Sequence, residues 1–186
     1  QKGSKPMQLK VVRFGGSSLA DAAHFKQVAD IIKADPSRRY VVPSAPGKRF
    51  SNDTKVTDML YKCYEKIRNH ESIDEIYAKI SERYNSIIEG LGLDFDISGE
   101  LEYVKSAMMH RSGRDFAASR GEYLNGLILA KYLGYTFIDA ENVIFFRENG
   151  AFDAEKTNQA TFCCYECSLI LFFTKRNAAD CRLDGF

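Results

Sequence analysis

The sequence of 186 residues predicts an α/β fold: a mostly parallel open sheet sandwiched between helices. Three observations predict the layout. A short β-type run, Leu9 to Phe14, passes through Gly15-Gly16 straight into a helical repeat of apolar residues. A second run, Tyr40-Val41-Val42, follows that helix, and strands joined through a crossover helix lie parallel in one sheet. The remaining periodic segments extend the order to β-α-β-α-α-α-α-β-β, which covers both faces of the sheet with helices.

Taken in order, Leu9, Val11, Val12 and Phe14 form the first strand. Phe25, Val28, Ala29 and Ile32, spaced by three and four, place one apolar face on the first helix. Ser18 is its expected N-cap, with Asp21 three residues on, and Asp35-Pro36 ends it. The second strand runs into Pro43-Ser44-Ala45-Pro46-Gly47, a breaker-rich loop reaching Asp53-Thr54. Val56, Leu60, Cys63 and Ile67 recur at helical spacing, as do Ile73, Ile76, Ile80, Tyr84 and Ile87, so two amphipathic helices follow. A third covers Glu100 to Met109. Asp115 to Leu133 makes another, with Phe116, Ser119, Tyr123 and Ala130 on one face and Gly134 as its C-terminal cap. Tyr135–Asp139 and Val143–Phe146 are the last expected strands.

Composition excludes several classes of function. Lys and Arg total 26 against 25 Asp and Glu, so the strongly basic field of a dedicated nucleic-acid binder is missing. Hydrophobic residues at 45% and charged ones at 27% exclude disorder of the whole chain. The longest apolar stretch, Leu169–Phe173, is far short of the roughly 20 residues that span a bilayer. Residues 1–6 have no secretory apolar core and precede Met7, so they read as a leader or cloning remnant. A cytoplasmic protein without nucleic-acid or membrane partners is expected. Of five cysteines only Cys63 precedes Cys163, which argues against a secreted disulfide framework. Cys164 and Cys167 form one C-x-x-C pair, but the second pair of a four-ligand zinc site is absent, and no metal site is assigned.

Three segments carry candidate chemistry. Gly15, Gly16 and Ser17 lie between a strand and a helix, where backbone N–H groups can cradle a phosphate. Arg13, just ahead, is a cation placed to offset charge during phosphoryl transfer. This is neither a Walker loop nor a dinucleotide fingerprint. Ser44, Lys48 and Thr54 lie beyond the carboxyl end of the second strand, where open α/β sheets bind ligands. Ser119-Arg120-Gly121-Glu122 puts a helix-destabilising glycine beside a carboxylate suited to an ammonium group.

In that order, V-V-R-F-G-G-S-S-L-A-D-A, V-V-P-S-A-P-G-K with D-T-K-V-T-D, and S-R-G-E-Y-L-N with F-I-D-A-E-N-V-I-F-F resemble the N-terminal part of the catalytic domain of aspartate kinases, members of the amino-acid kinase superfamily. The resemblance runs from about Leu9 to Asn158. It implies transfer of the γ-phosphoryl of ATP, with Mg²⁺, to the side-chain carboxylate of L-aspartate in lysine, threonine and methionine biosynthesis. It further implies that Gly15, Gly16 and Ser17 hold phosphates, that Ser44 and Thr54 contact aspartate, and that Glu122 binds its α-amino group. Arg13 falls where the family has its catalytic lysine.

The sequence departs from the family at Arg13, at Pro43 in place of an apolar strand residue, and after Asn158. Residues 7–159 are therefore read as the N-terminal part of the kinase domain. Residues 160–186 are read as a divergent Cys/Phe-rich tail that marks a change of reading frame or of assembly. The alternatives are a non-catalytic fragment of the same fold that self-associates through exposed tail residues such as Leu169–Phe173, as a homo-oligomer, or a kinase for glutamate, acetylglutamate or carbamate. A guanidinium is broader than an ammonium and prefers planar partners. In a complete site, Arg13→Lys is expected to raise phosphoryl transfer by up to about 10²-fold; an unchanged rate in a hydroxamate assay removes Arg13 from that role.

Overall fold

The computed structural model describes residues 9–110, 113–162 and 169–172. The Val-rich first run forms β1 (Lys10–Phe14), and β2 (Arg38–Pro43) lies beside it in parallel, with Val11 opposite Tyr40 and Phe14 opposite Pro43. Between them runs α1 (Ala22–Lys33), which buries Phe25, Val28, Ala29 and Ile32. Its N-cap is Asp21 and not Ser18. The Asp21 carboxylate accepts from the His24 N–H at 3.0 Å, while Ser18 is taken into a 3₁₀ turn, Gly16–Leu19. An extended residue with an ionised acceptor caps more strongly than a serine whose backbone is already committed to a turn.

Pro43 is accommodated at the end of β2. Successive N–H groups of a strand point to opposite neighbours, and the Ser44 N–H goes to Phe14 O on β1 at 2.9 Å. The missing donor of Pro43 therefore falls on the other side, where the pairing of β2 already stops at Val41.

The helical segments appear as α2 (Val56–Arg68), α3 (Asp74–Leu91), α4 (Ser98–His110) and α5 (Arg114–Leu133). Gly92 and Gly134 end α3 and α5 in the left-handed conformation that glycine adopts without steric cost. α5 is buried around most of its circumference, including Arg120, Gly121, Leu124, Asn125 and Ile128, because α2 packs on it from one side and the sheet from the other. A helix enclosed in this way carries only a weak apolar stripe.

After α5 the chain enters β3 (Thr136–Asp139). Val143–Phe146 is not a strand, because its donors are used locally: Val143 N–H and Ile144 N–H bond to Ala140 O, and Phe145 N–H bonds to the Thr157 hydroxyl at 3.0 Å. Only an isolated bridge joins Phe146 to Phe152. A helix absent from the sequence expectation, α6 (Ala154–Phe162), follows Asp153, whose carboxylate accepts from Lys156 N–H.

The last described segment, β4 (Leu169–Phe172), pairs in parallel with both β2 and β3, so the strand order is β1-β2-β4-β3. Of the segment Leu169–Phe173 expected to associate, residues 169–172 are an inner strand, paired on both edges. Residues 1–6 and the tail cysteines Cys163, Cys164, Cys167 and Cys181 lie outside the described residues, and Cys63 is a buried free thiol. Among the described residues no helix is long and apolar enough to cross a membrane.

The helices close a common core of Phe25, Leu60, Ile80, Tyr84, Leu124 and Ile128, each at most 0–1% exposed. Leu60 packs against α5 opposite Gly121. Leu60→Ala is expected to destabilise the fold by about 2–5 kcal/mol through lost burial and a residual cavity, read from the midpoint of a urea unfolding curve.

Candidate functional site

Parallel pairing of β1 with β2 brings the turns that follow them together at the carboxyl edge of the sheet. There the backbones of Gly16 and Gly47 touch: Gly47 N–H donates to Gly16 O at 2.8 Å. A Cβ on Gly16 would lie 2.7 Å from Ala45 O, and one on Gly47 would lie 2.6 Å from the Gly16 carbonyl carbon. Neither position admits a side chain without moving backbone.

Ser44 is held from three directions. Its N–H continues the ladder to Phe14, its carbonyl accepts from the buried Asn125 Nδ2 of α5 at 2.7 Å, and its hydroxyl accepts from Arg13 Nη2 at 3.2 Å. Beyond it the loop of residues 44–55 has no regular structure, yet it is tied down internally. Asp53 accepts from the Arg49 backbone and guanidinium and from the guanidinium of Arg83 on α3, the last at 2.7 and 2.8 Å. Arg83 also donates to Gly47 O at 2.9 Å. Hydrogen bonds from Arg49 lead the effects that hold the Asp53 carboxyl well below the usual carboxylate range.

A cleft of about 490 Å³ opens between these turns and α5. Its walls include Gly16, Ser17, Ser44, Gly47, Lys48, Lys55, Thr57 and Glu122. A smaller cavity of about 320 Å³ adjoins it, lined by Arg13, Thr57, Tyr61, Asp115, Ser119 and Glu122. Gly121 brings α5 close enough for Glu122 to reach the cleft: a Cβ there would lie 2.9 Å from the Ala45 side chain, and Gly121 O accepts from the Tyr84 hydroxyl at 2.6 Å.

Of the residues singled out in the sequence, Gly16, Ser17, Ser44, Lys48 and Glu122 therefore share the larger cavity, and Arg13 faces its neighbour. Gly15 and Thr54 line neither. Thr54 is turned into the loop network, its N–H donating to Asp53 and its carbonyl 3.4 Å from Arg83 Nη2. Thr57, which the sequence reading did not select, lines both cavities, as Lys55 lines the larger. The signal was present: both sit where α2 starts, directly after the loop, and a helix opening at a strand edge presents its first turn to the crevice.

Glu122 and Arg120 leave α5 in opposite directions, as residues two apart on a helix must. Arg120 is buried, with its guanidinium 4.6 Å from the Phe116 ring centroid, 5.0 Å from that of Tyr123 and 3.9 Å from Glu141. Glu122 is half-buried, and burial pushes its pKa up to about 7, against a smaller opposing pull from Arg13. Its carboxylate is thus a proton-sensitive, under-compensated anion site facing both cavities.

No family model matches the chain. It is 36% identical over 141 residues to aspartokinase 3 of Bacillus subtilis (strain 168), a match covering 73% of this chain and 31% of that protein. It is 33% identical over 133 residues to the chloroplastic aspartokinase 1 of Arabidopsis thaliana, covering 66% of this chain and 23% of that protein. The crystal structure of Clostridium acetobutylicum aspartate kinase matches with a TM-score of 0.84 at 46% identity, over 88% of this chain and 38% of that one. E. coli aspartokinase III in complex with aspartate and ADP matches in fold with a TM-score of 0.69 at 22% identity, over 88% of this chain and 40% of that one. The chain spans less than a third of the length of the curated relatives it matches.

A carboxyl group with a raised native pKa binds more protons folded than unfolded between its ordinary value of 4.5 and about 7. Its contribution to stability is thus fully present below pH 4.5 and is lost as pH rises through 7. Glu122→Gln is expected to raise the melting temperature over the parent chain, with a gain that grows from pH 4 to pH 8. An equal shift at both pH values refutes the raised pKa.

Proposed function

We propose, from the premise that the chain is a segment of the aspartate kinase family, that its cleft holds L-aspartate beside the phosphates of ATP for transfer of the γ-phosphoryl group to the aspartate side-chain carboxylate. The product is 4-phospho-L-aspartate, in the lysine, threonine and methionine branch of amino-acid biosynthesis and in the cytoplasm. One observation carries the reading: a glycine turn, the three hydroxyl residues Ser17, Ser44 and Thr57 and a half-buried carboxylate converge on a single cleft at the carboxyl edge of a parallel sheet.

The chemistry asks little covalent work of the protein. A free aspartate side chain, with a reference pKa near 3.9, is already an ionised nucleophile at neutral pH, so no general base is required. Glu122 receives the α-ammonium, whose charge stabilises the ionised carboxylate and draws its pKa back down. Ser44, fixed at both backbone groups, and Thr57 orient the substrate from the opposite side. Thr57 takes the place first assigned to Thr54, because its side chain lines the cleft and Thr54 does not. Gly16 and Ser17 face the phosphates, and Arg13 supplies positive charge from the adjoining cavity.

Among the described residues no group of three His, Cys, Asp or Glu side chains could hold a metal ion. Mg²⁺ suits the arrangement as a companion of the nucleotide, since it commonly keeps phosphate and water ligands with one or two carboxylates. With Glu122 taken by the α-ammonium, Asp115 is the carboxylate of the adjoining cavity that would hold it. Bound there, Mg²⁺ would neutralise phosphate charge.

Positioning and charge neutralisation carry such reactions. This chain alone is expected to bind aspartate and to turn over slowly or not at all. Titration with L-aspartate, followed by calorimetry, tests the site: affinity should rise about tenfold from pH 6 to pH 8 as Glu122 ionises. Affinity that is flat across that range removes Glu122 from the ammonium contact. Hydroxylamine trapping with ATP and aspartate, glutamate or acetylglutamate in parallel identifies the acceptor acid in any active form.

A further inference from the structure

We infer that Arg83, on α3 and outside both cavities, is a positioning residue that locks the Gly47 wall of the cleft against the Gly16 turn. Arg83 is 4% exposed and donates at once to Gly47 O and to both oxygens of Asp53. Burying a guanidinium is costly even when it is paired, and apolar groups of similar volume often serve stability as well or better. A role beyond stability follows from where its hydrogen bonds go.

Gly47 is the residue of the loop with the greatest backbone freedom and the one in contact with the Gly16 turn. The peptide before its Cα is held at both ends: Pro46 O accepts from Val56 N–H at 3.1 Å, and Gly47 N–H donates to Gly16 O at 2.8 Å. Among the described residues, Arg83 is what holds the peptide after its Cα, through the Gly47 carbonyl. Release of that carbonyl lets the chain rotate about the Gly47 Cα, which loosens the Gly47 N–H bond to Gly16 O on the other side of the same residue and moves Lys48, itself a wall of the cleft. Asp53 fixes the guanidinium for this task and is braced in turn by Arg49, so a single fork on α3 joins residues 47, 53 and 54 to the helical layer. The arrangement needs a planar fork. A lysine keeps the charge but presents a point donor, which cannot reproduce the simultaneous Gly47 and Asp53 contacts.

This inference deepens the aspartate-binding reading and rests on it for the ligand measurement only. Amide hydrogen exchange by NMR on the free chain tests the lock directly. In Arg83→Lys, protection of the Gly47 N–H should fall about tenfold, the effect of losing one hydrogen bond to a charged group, while Leu124 and Ile128 in α5 exchange as before. Titration with L-aspartate should show about tenfold weaker binding in the same variant. Unchanged Gly47 exchange overturns the proposal, as does an equal rise in exchange across Gly47, Leu124 and Ile128, which is the behaviour of a purely structural residue. Should Arg83→Lys not fold, Asp53→Asn, which loosens the fork and leaves no cavity, is read by the same exchange criteria; failure of both to fold assigns Arg83 to stability and overturns the proposal. A parent chain that binds no aspartate while Arg83→Lys still frees Gly47 refutes the substrate reading and leaves the lock standing.

Discussion

The backbone contact between Gly16 and Gly47 is the constraint on which the site depends. Two turns from separate strands approach until the Gly47 N–H bonds to Gly16 O at 2.8 Å, a distance that any β-carbon on either residue would prevent. It lies between the starts of two helices, α1 capped by Asp21 and α2 opened by the Val56 N–H bond to Pro46 O. It also leaves a cleft beside the sheet edge, because two bare backbones meet where side chains would otherwise fill the space.

Charge is distributed around this contact in two contrasting ways. Arg83, Asp53 and Arg49 form a network in which the buried carboxylate meets donors from several sides, and its pKa falls far below the ordinary value. Such a network costs desolvation and returns geometry, holding an irregular loop in one conformation. Glu122 has no comparable set of donors. Burial dominates there and pushes its pKa up to about 7, with only a smaller opposing pull from Arg13. One carboxylate is satisfied by the protein, and the other faces two open cavities.

α5 links the two regions. Asn125 reaches Ser44 from one side of the helix, Gly121 admits the loop, and Glu122 lines the cleft. Arg120, pointing away, is sandwiched near Phe116 and Tyr123 and lies close to Glu141, which anchors the helix to the segment after β3. The three residues Arg120 to Glu122 thus contribute packing, close approach and a cleft-lining carboxylate in turn, because each successive residue is rotated by about 100° around the helix.

The sequence by itself determined the strand–glycine turn–helix opening, the parallel β1–β2 pair, the run of helices and the presence of Gly16, Ser17 and Ser44 at one edge, since these follow from local periodicity and from the rule that parallel strands end together, whereas Glu122 was legible there only through the family resemblance. Tertiary structure decided the rest. Asp21 displaced Ser18 as the cap because the 3₁₀ turn used the serine first. Val143–Phe146 lost its strand because Ala140 and Thr157 accept its N–H groups. Leu169–Phe172 became an inner strand because β2 and β3 leave a gap between them that matches its register. Thr57 lines the cleft and Thr54 does not, because Arg83 and Asp53 hold the backbone of Thr54 within the loop network, while Thr57, in the first turn of α2, shares both cavities with Glu122. Periodicity records which residues share a face, but only the packed neighbours determine what that face meets.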